Sequence, residues 1–285
     1  MLIQLLLAKD PAERATYKRF AERSLEIARS VGDQRLQCLA LDDLTLSAYW
    51  DHDPVTMKRL YQEGSRIARR IGDERRLASL MATRELLPDT SYAERRSLCE
   101  QGLSYFRRAG DRLATAMSLY RLSDWHLSEG HLSEGRPYLD EAIAIATELD
   151  AGHFVYLLQS SLCLTLLMEG KAAEAAPVLQ RNLRITHRLG DDGQGIALIL
   201  FCAACCATWL DLGETAARLH GAADAEIEGA LADGTMFGWS DLEQQLRTTS
   251  QDRLRQLMGD AEFEAAYRSG AQLTRMQAIE LALGR

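Results

Sequence analysis

The chain is 285 residues long, 47% of them hydrophobic and 26% charged, enough to bury a sizeable core in one or two domains. With 41 acidic residues against 33 basic ones, the formal net charge of −8 argues against direct nucleic-acid binding by this segment. Six cysteines in apolar surroundings, without regular spacing, exclude a disulfide framework and suit a reducing, cytoplasmic setting.

Taken in chain order, residues 1–8 are apolar but lack the basic flank and cleavage site of a signal peptide. They read as the tail of a first helix, followed by a turn at Lys9-Asp10-Pro11 and a second helix up to Val31. This incomplete first unit suggests a piece of a longer polypeptide. A Gly-Asp pair then recurs at Gly32-Asp33, Gly72-Asp73, Gly110-Asp111 and Gly190-Asp191, with Leu149-Asp150 in the remaining slot, at intervals of 38–41 residues. A fixed period of this size is the signature of a solenoid whose units bury their apolar faces against their neighbours. Glycine supplies the left-handed residue that ends one helix, and aspartate accepts N–H bonds at the start of the next.

Each period reads as two antiparallel helices. Leu113, Met117, Tyr120 and Asp124 keep helical spacing until Gly130, and a second helix from Arg136 to Leu149 carries Leu139, Ala142, Ile143 and Ala146 on one face. The next unit repeats this over 154–169, Gly170 and 173–189, with Pro137 and Pro177 placed in first helical turns. Leu86-Leu87-Pro88-Asp89-Thr90 replaces one glycine stop and predicts a shortened helix. The longest charge-free apolar stretch, 195–210, has about 16 residues where about 20 are needed to cross a bilayer, so no membrane span is expected.

Small-residue first helices alternating with second helices such as "LDEAIAIATELD" and "AAPVLQRNLRITHRLGD" resemble the tetratricopeptide family over roughly residues 1–219. A narrower resemblance lies in "AARLHGAADA" (216–225) and in the run from Leu242 to Leu283. Its elements are Ala-Ala-Arg-Leu-x-Gly-Ala-Ala, Leu-Met-Gly-Asp-Ala-Glu-Phe-Glu-Ala-Ala-Tyr, and Gly-x-x-Leu-Thr-x-x-x-Ala-Ile-x-x-Ala-Leu. These are similar to the C-terminal tail of bacterial LuxR-type and signal-transduction ATPase regulators. The resemblance implies a module that follows nucleotide-binding and DNA-binding or cyclase segments, none of which lies in this sequence.

Motifs with chemical potential have plainer readings. Gly130-His-Leu-Ser-Glu-Gly135-Arg136-Pro137 has phosphate-loop glycine spacing, but Arg-Pro stands where Lys-Ser/Thr is required. Gly190-Asp-Asp-Gly193-Gln-Gly195 lacks the strand that precedes a dinucleotide site. Cys202, Cys205 and Cys206 suit tight helix packing. His126 with His131, and Asp51-His52-Asp53, read as turn residues that cap the following helix, so no metal ligand and no cofactor is assigned. Asp42-Asp43 and Glu85 raise an α/α-toroid hydrolase, yet aromatics do not cluster around them. Trp125 and Trp239 read as packed within the stack.

The fold expected is all-α: a right-handed α-solenoid of tetratricopeptide-like helical pairs over 1–221, with a helical cap over 222–285. First helices usually line the concave side of a solenoid, which places Asp42, Arg84, Glu85, Tyr120, Asp124 and Ser160 there as candidate binding residues. The function expected is non-catalytic protein interaction or ligand sensing in a bacterial regulator, with a peptide or small-molecule effector in the groove. A free-standing adaptor and, more remotely, a hydrolase are the alternatives. Leu242, Leu246, Leu254, Leu257, Phe263, Tyr267 and Leu273 recur at intervals suited to helices that cover the last repeat.

Overall fold

The computed structural model describes residues 11–87, 89–189, 194–232 and 241–284; among them are fourteen helices and no strand. They are α1 (Pro11–Val31), α2 (Gln34–Trp50), α3 (Pro54–Ile71), α4 (Glu74–Arg84), α5 (Tyr92–Ala109), α6 (Arg112–Ser128) and α7 (Leu132–Glu148). There follow α8 (Gly152–Met168), α9 (Ala172–Leu189), α10 (Gln194–Trp209), α11 (Gly213–Ala232), α12 (Asp241–Met258), α13 (Asp260–Ala271) and α14 (Arg275–Ala282). Sequence-adjacent helices pack in pairs, the arrangement short connections favour.

The turns explain the pairing. Left-handed residues stand at Gly32, His52, Gly72, Gly110, Gly130, Asp150, Gly170 and Asp211. At each, the N–H of the following residue donates to a carbonyl five residues back, as in Asp33 to Ala28 and Asp73 to Ala68, both 2.9 Å. Asp33, Asp53, Asp73 and Asp111 then accept from the N–H groups of Leu36, Thr56, Arg76 and Ala114 at 2.9–3.1 Å. One side chain thus satisfies a donor that the helix start leaves orphaned. Gly190-Asp191 lies outside the described residues.

Two sequence expectations change. Helices α7 and α9 begin at Leu132 and Ala172, so Pro137 and Pro177 occupy the sixth position rather than the first turn. Both prolines are exposed, as are Ser133 and Ala173, whose carbonyls lose an N–H partner and face solvent instead. As the proline-bearing loop suggests, α4 stops early at Arg84, with Leu87 buried beneath the following turn.

The helices form two compact units, Met1–Trp125 and His126–Arg285, divided within α6. The boundary expected at 221/222 falls in the middle of α11, because that helix packs as strongly on the tail as on α10. In the first unit, Leu41 of α2, Met57 of α3 and Leu80 of α4 are fully buried together. In the second, α10 is apolar all round and every residue from 199 to 208 is buried. Each fully buried Leu, Ile or Phe side chain contributes about 1.5–3 kcal/mol.

Helices α12, α13 and α14 fold back on α10 and α11. Leu246, Leu254 and Phe263 are buried there, whereas Leu257 is exposed. The motifs that carry the regulator-like resemblance meet at this junction. Gly221 of α11 and Gly270 of α13 bring two backbones together: a Cβ at Gly221 would lie 2.0 Å from the Tyr267 carbonyl oxygen, and one at Gly270 would lie 1.9 Å from that of Arg218. Gly259 adopts φ 86° and ψ 153°, a conformation open to glycine, at the α12–α13 corner. Thr274 and Gln277 form a capping box that starts α14, whose Ala278 and Ile279 are buried.

Candidate functional site

Asp42 of α2 does not face solvent but lies 5% exposed against α4. It accepts hydrogen bonds from Ser79 Oγ at 2.5 Å and Thr83 Oγ1 at 3.4 Å, with Arg76 Nη1 3.9 Å away. Burial pushes the Asp42 carboxyl up to about 6, outweighing these groups, which lower it. Burial likewise lifts its neighbour Asp43 to about 6, with the Tyr17 hydroxyl opposing and the charge of Asp42 assisting.

These raised values set a pH dependence of unusual sign. The folded chain holds protons between about 4 and 6 that the unfolded chain releases, so stability is fully present below that window and falls as pH rises through 6. For Asp42 the effect is on the order of 2–3 kcal/mol. Asp42→Asn keeps an acceptor for Ser79 without the charge. It should be the more stable chain at pH 7.5 and show a flatter urea midpoint between pH 5 and 7.5. A slope identical to the parent's would show that Asp42 is not its source.

Glu85, just beyond α4, is fully buried and touches both the Arg121 guanidinium of α6 and the Cys99 thiol of α5. Burial lowers Arg121 to about 10, so it stays charged at neutral pH and matches the carboxylate. Arg84 pins the loop before α5, reaching Asp89 Oδ1 and Glu94 Oε1 at 3.1 Å each, and also Thr90. Tyr120 is half-buried and Asp124 exposed on α6; Trp125, half-buried, carries the Arg95 guanidinium 4.2 Å over its ring. Trp239 lies outside the described residues.

Ser160 belongs to the second unit and is buried, accepting from Asn182 Nδ2 at 3.1 Å. Asp42, Glu85 and Ser160 therefore bind helix to helix. Of the expected groove residues, Arg84, Tyr120 and Asp124 retain partial or full exposure.

Open space lies elsewhere. A half-open cleft of about 410 Å³ runs between α9, α10, α11 and α14, within the size range of small-molecule sites. Leu179, Ala203, Ala207, Leu219 and Leu281 give it apolar walls; Gln180 and Thr215 are among its few polar members. Gln180 Nε2 donates to the Ala282 carbonyl at 3.4 Å, which helps hold α14 as one wall. Leu210 and Leu212, 43% and 52% exposed, stand at its rim, thrown outward by the left-handed Asp211. Sequence reading missed this cleft; the two exposed leucines that flank a turn aspartate were its local signal.

The cysteines at its back are packing groups. Cys206 Sγ donates to the Ala172 carbonyl at 3.6 Å, and Ser250 Oγ donates to Cys205 Sγ at 3.4 Å. Burial raises the Cys205 thiol to about 12 and Cys206 to about 11, leaving both protonated and unreactive at neutral pH. Beside the cleft, Asp224 of α11 accepts from Arg247 at 2.9 and 2.5 Å, from Tyr267 at 2.6 Å and from Gln251 at 3.3 Å. His220, one turn away, is fully buried, and burial lowers it to about 4, so it packs as a neutral ring.

No family model matches the chain, and no curated protein matches it significantly. No helix among the described residues is long and apolar enough to cross a membrane.

Proposed function

We propose that this chain is a non-catalytic recognition module that takes an apolar effector, or the leucine face of an amphipathic segment, into the cleft walled by α9, α10, α11 and α14. The observation that carries this reading is the cleft itself: about 410 Å³, open on one side, apolar inside and rimmed by exposed Leu210 and Leu212. The sequential helix pairs are consistent with a tetratricopeptide-like stack, right-handed by that resemblance, and the engagement of Asp42 and Glu85 in packing favours binding over hydrolysis. By resemblance of its tail, the module serves a cytoplasmic bacterial regulator of the LuxR or signal-transduction ATPase type. Occupancy would then bias a partner module by stabilising one of two states.

Thr215→Trp places an indole in the cleft without touching the core. Titration with the amphipathic dye anilinonaphthalene sulfonate, whose aromatic rings seek apolar clefts, should show saturable binding to the parent and at least about tenfold weaker binding to the variant, roughly 1.4 kcal/mol, at an unchanged melting temperature. Equal affinity in the two proteins, or none in the parent, refutes the cleft as the site. A reading frame that places a nucleotide-binding segment before this one supports the regulator assignment; a segment of another kind favours an adaptor.

A further inference from the structure

Eight helix-to-helix turns built on a left-handed residue share one hydrogen bond and differ in what they enclose. The carbonyl that accepts it belongs to Ala28, Ala48, Ala68, Phe106, His126, Ala146, Leu166 or Ala207. All eight residues are buried. Seven are apolar, as expected where such a turn closes with an apolar contact. At the Gly130 turn the enclosed residue is His126, 1% exposed, and the residue donating to its carbonyl at 2.8 Å is a second histidine, His131.

Glu134 joins them from the first turn of α7. His131 Nδ1 lies 3.1 Å from Glu134 Oε1, and His126 Nδ1 lies 4.0 Å from Glu134 Oε2. One potential ligand atom from each of the three lies within 4.8 Å of the others. His131 sits at the helix start, yet its side chain makes no capping bond, contrary to the capping role its sequence position suggests. The His126 ring is held by stacking on Tyr138, centroids 5.7 Å apart and planes 21° apart. Gly130, at φ 79°, supplies the reversal that brings the two histidines together.

We propose that His126, His131 and Glu134 bind a divalent first-row transition-metal ion, with Zn²⁺ the natural probe. Two imidazoles and a carboxylate are borderline donors suited to such ions, and a three-ligand site leaves a position for water or an external donor. Metal–ligand bonds of about 2.0–2.2 Å put tetrahedral donors about 3.4 Å apart, so the ligands need to close by an ångström or so. His131 and Glu134, 44% and 54% exposed, stand at the surface end of the trio, and their side chains would make that movement toward the buried His126.

Calorimetric titration of the full chain with Zn²⁺ tests this, with His131→Ala and Glu134→Gln as surface variants that leave the buried His126 in place. The expected result is one ion per chain at micromolar affinity, a rise in melting temperature with the metal, and at least about tenfold weaker binding in each variant. Co²⁺ should give a visible absorption band in the parent that is lost in His131→Ala. Millimolar or absent binding in the parent, or tight binding that both variants retain, overturns the proposal. In the first case the trio is a hydrogen-bonded turn; in the second the metal sits elsewhere.

Discussion

Replacing Gly270 with alanine is expected to cost about 3 kcal/mol or more, and replacing it with leucine to detach α12–α14 altogether. The reason is steric. The added Cβ would stand 1.9 Å from the Arg218 carbonyl oxygen and 2.6 Å from its Cα, both backbone atoms that cannot rotate away. Separating α11 from α13 by the necessary ångström or more would also loosen Phe263, which is 1% exposed, and the Tyr267 hydrogen bond to Asp224. For a chain of this size each kcal/mol lowers the melting temperature by about 2–4 °C, so Gly270→Ala should melt roughly 6–12 °C below the parent. Gly221→Ala meets the same obstruction from the other side, and the double variant should lose less than the sum of the two, since helices already parted admit the second methyl freely. Parent-like melting of Gly270→Ala would mean that the two backbones do not touch.

Asp224→Ala is the second large loss, about 3–5 kcal/mol. Its side chain is 8% exposed and is the common acceptor for Arg247, Gln251 and Tyr267. Removing it strands a guanidinium that is 25% exposed, together with an amide and a phenol, in a site that water fills poorly. Arg247→Met in the same chain should recover part of the loss, because it removes the charge left without a partner. Urea unfolding of the single and double variants measures both terms. A single variant within about 1 kcal/mol of the parent would place this network outside the determinants of stability.

How much of this was legible depended on how local each interaction is. The caps at Asp33, Asp73 and Asp111 involve residues three apart and were readable from Gly-Asp pairs. His52, Asp150 and Asp211 adopt the same left-handed conformation without glycine, at residue types that tolerate it better than most, and the glycine-based pattern marks such turns less clearly. Prolines 137 and 177 misled on helix starts, because an exposed helix face tolerates an unpaired carbonyl. Of the candidate groove residues, Asp42, Glu85 and Ser160 are buried between helices, which helix phase read from sequence did not reveal. Asp42 of α2 and Glu85 just beyond α4 are buried against neighbouring helices, and partners such as Ser79, 37 residues away, are invisible to periodicity. The cleft combines residues from 176 to 284, and only tertiary packing assembles it.

Sequence separation also sets the order in which these contacts can form. Ion pairs that join successive units of the first body, Arg29 with Glu63 and Arg75 with Asp111, close segments of 34 and 36 residues. The bond from Gln180 to Ala282 closes one of 102. Closure entropy grows with segment length, and folding slows as contacts become more distant. Neighbouring helix pairs can therefore assemble from any starting point, while α14 has nowhere to dock until α9, α10 and α11 stand together. On a ribosome, the second unit would complete its core, and with it the cleft, only after α14 had emerged from the exit tunnel.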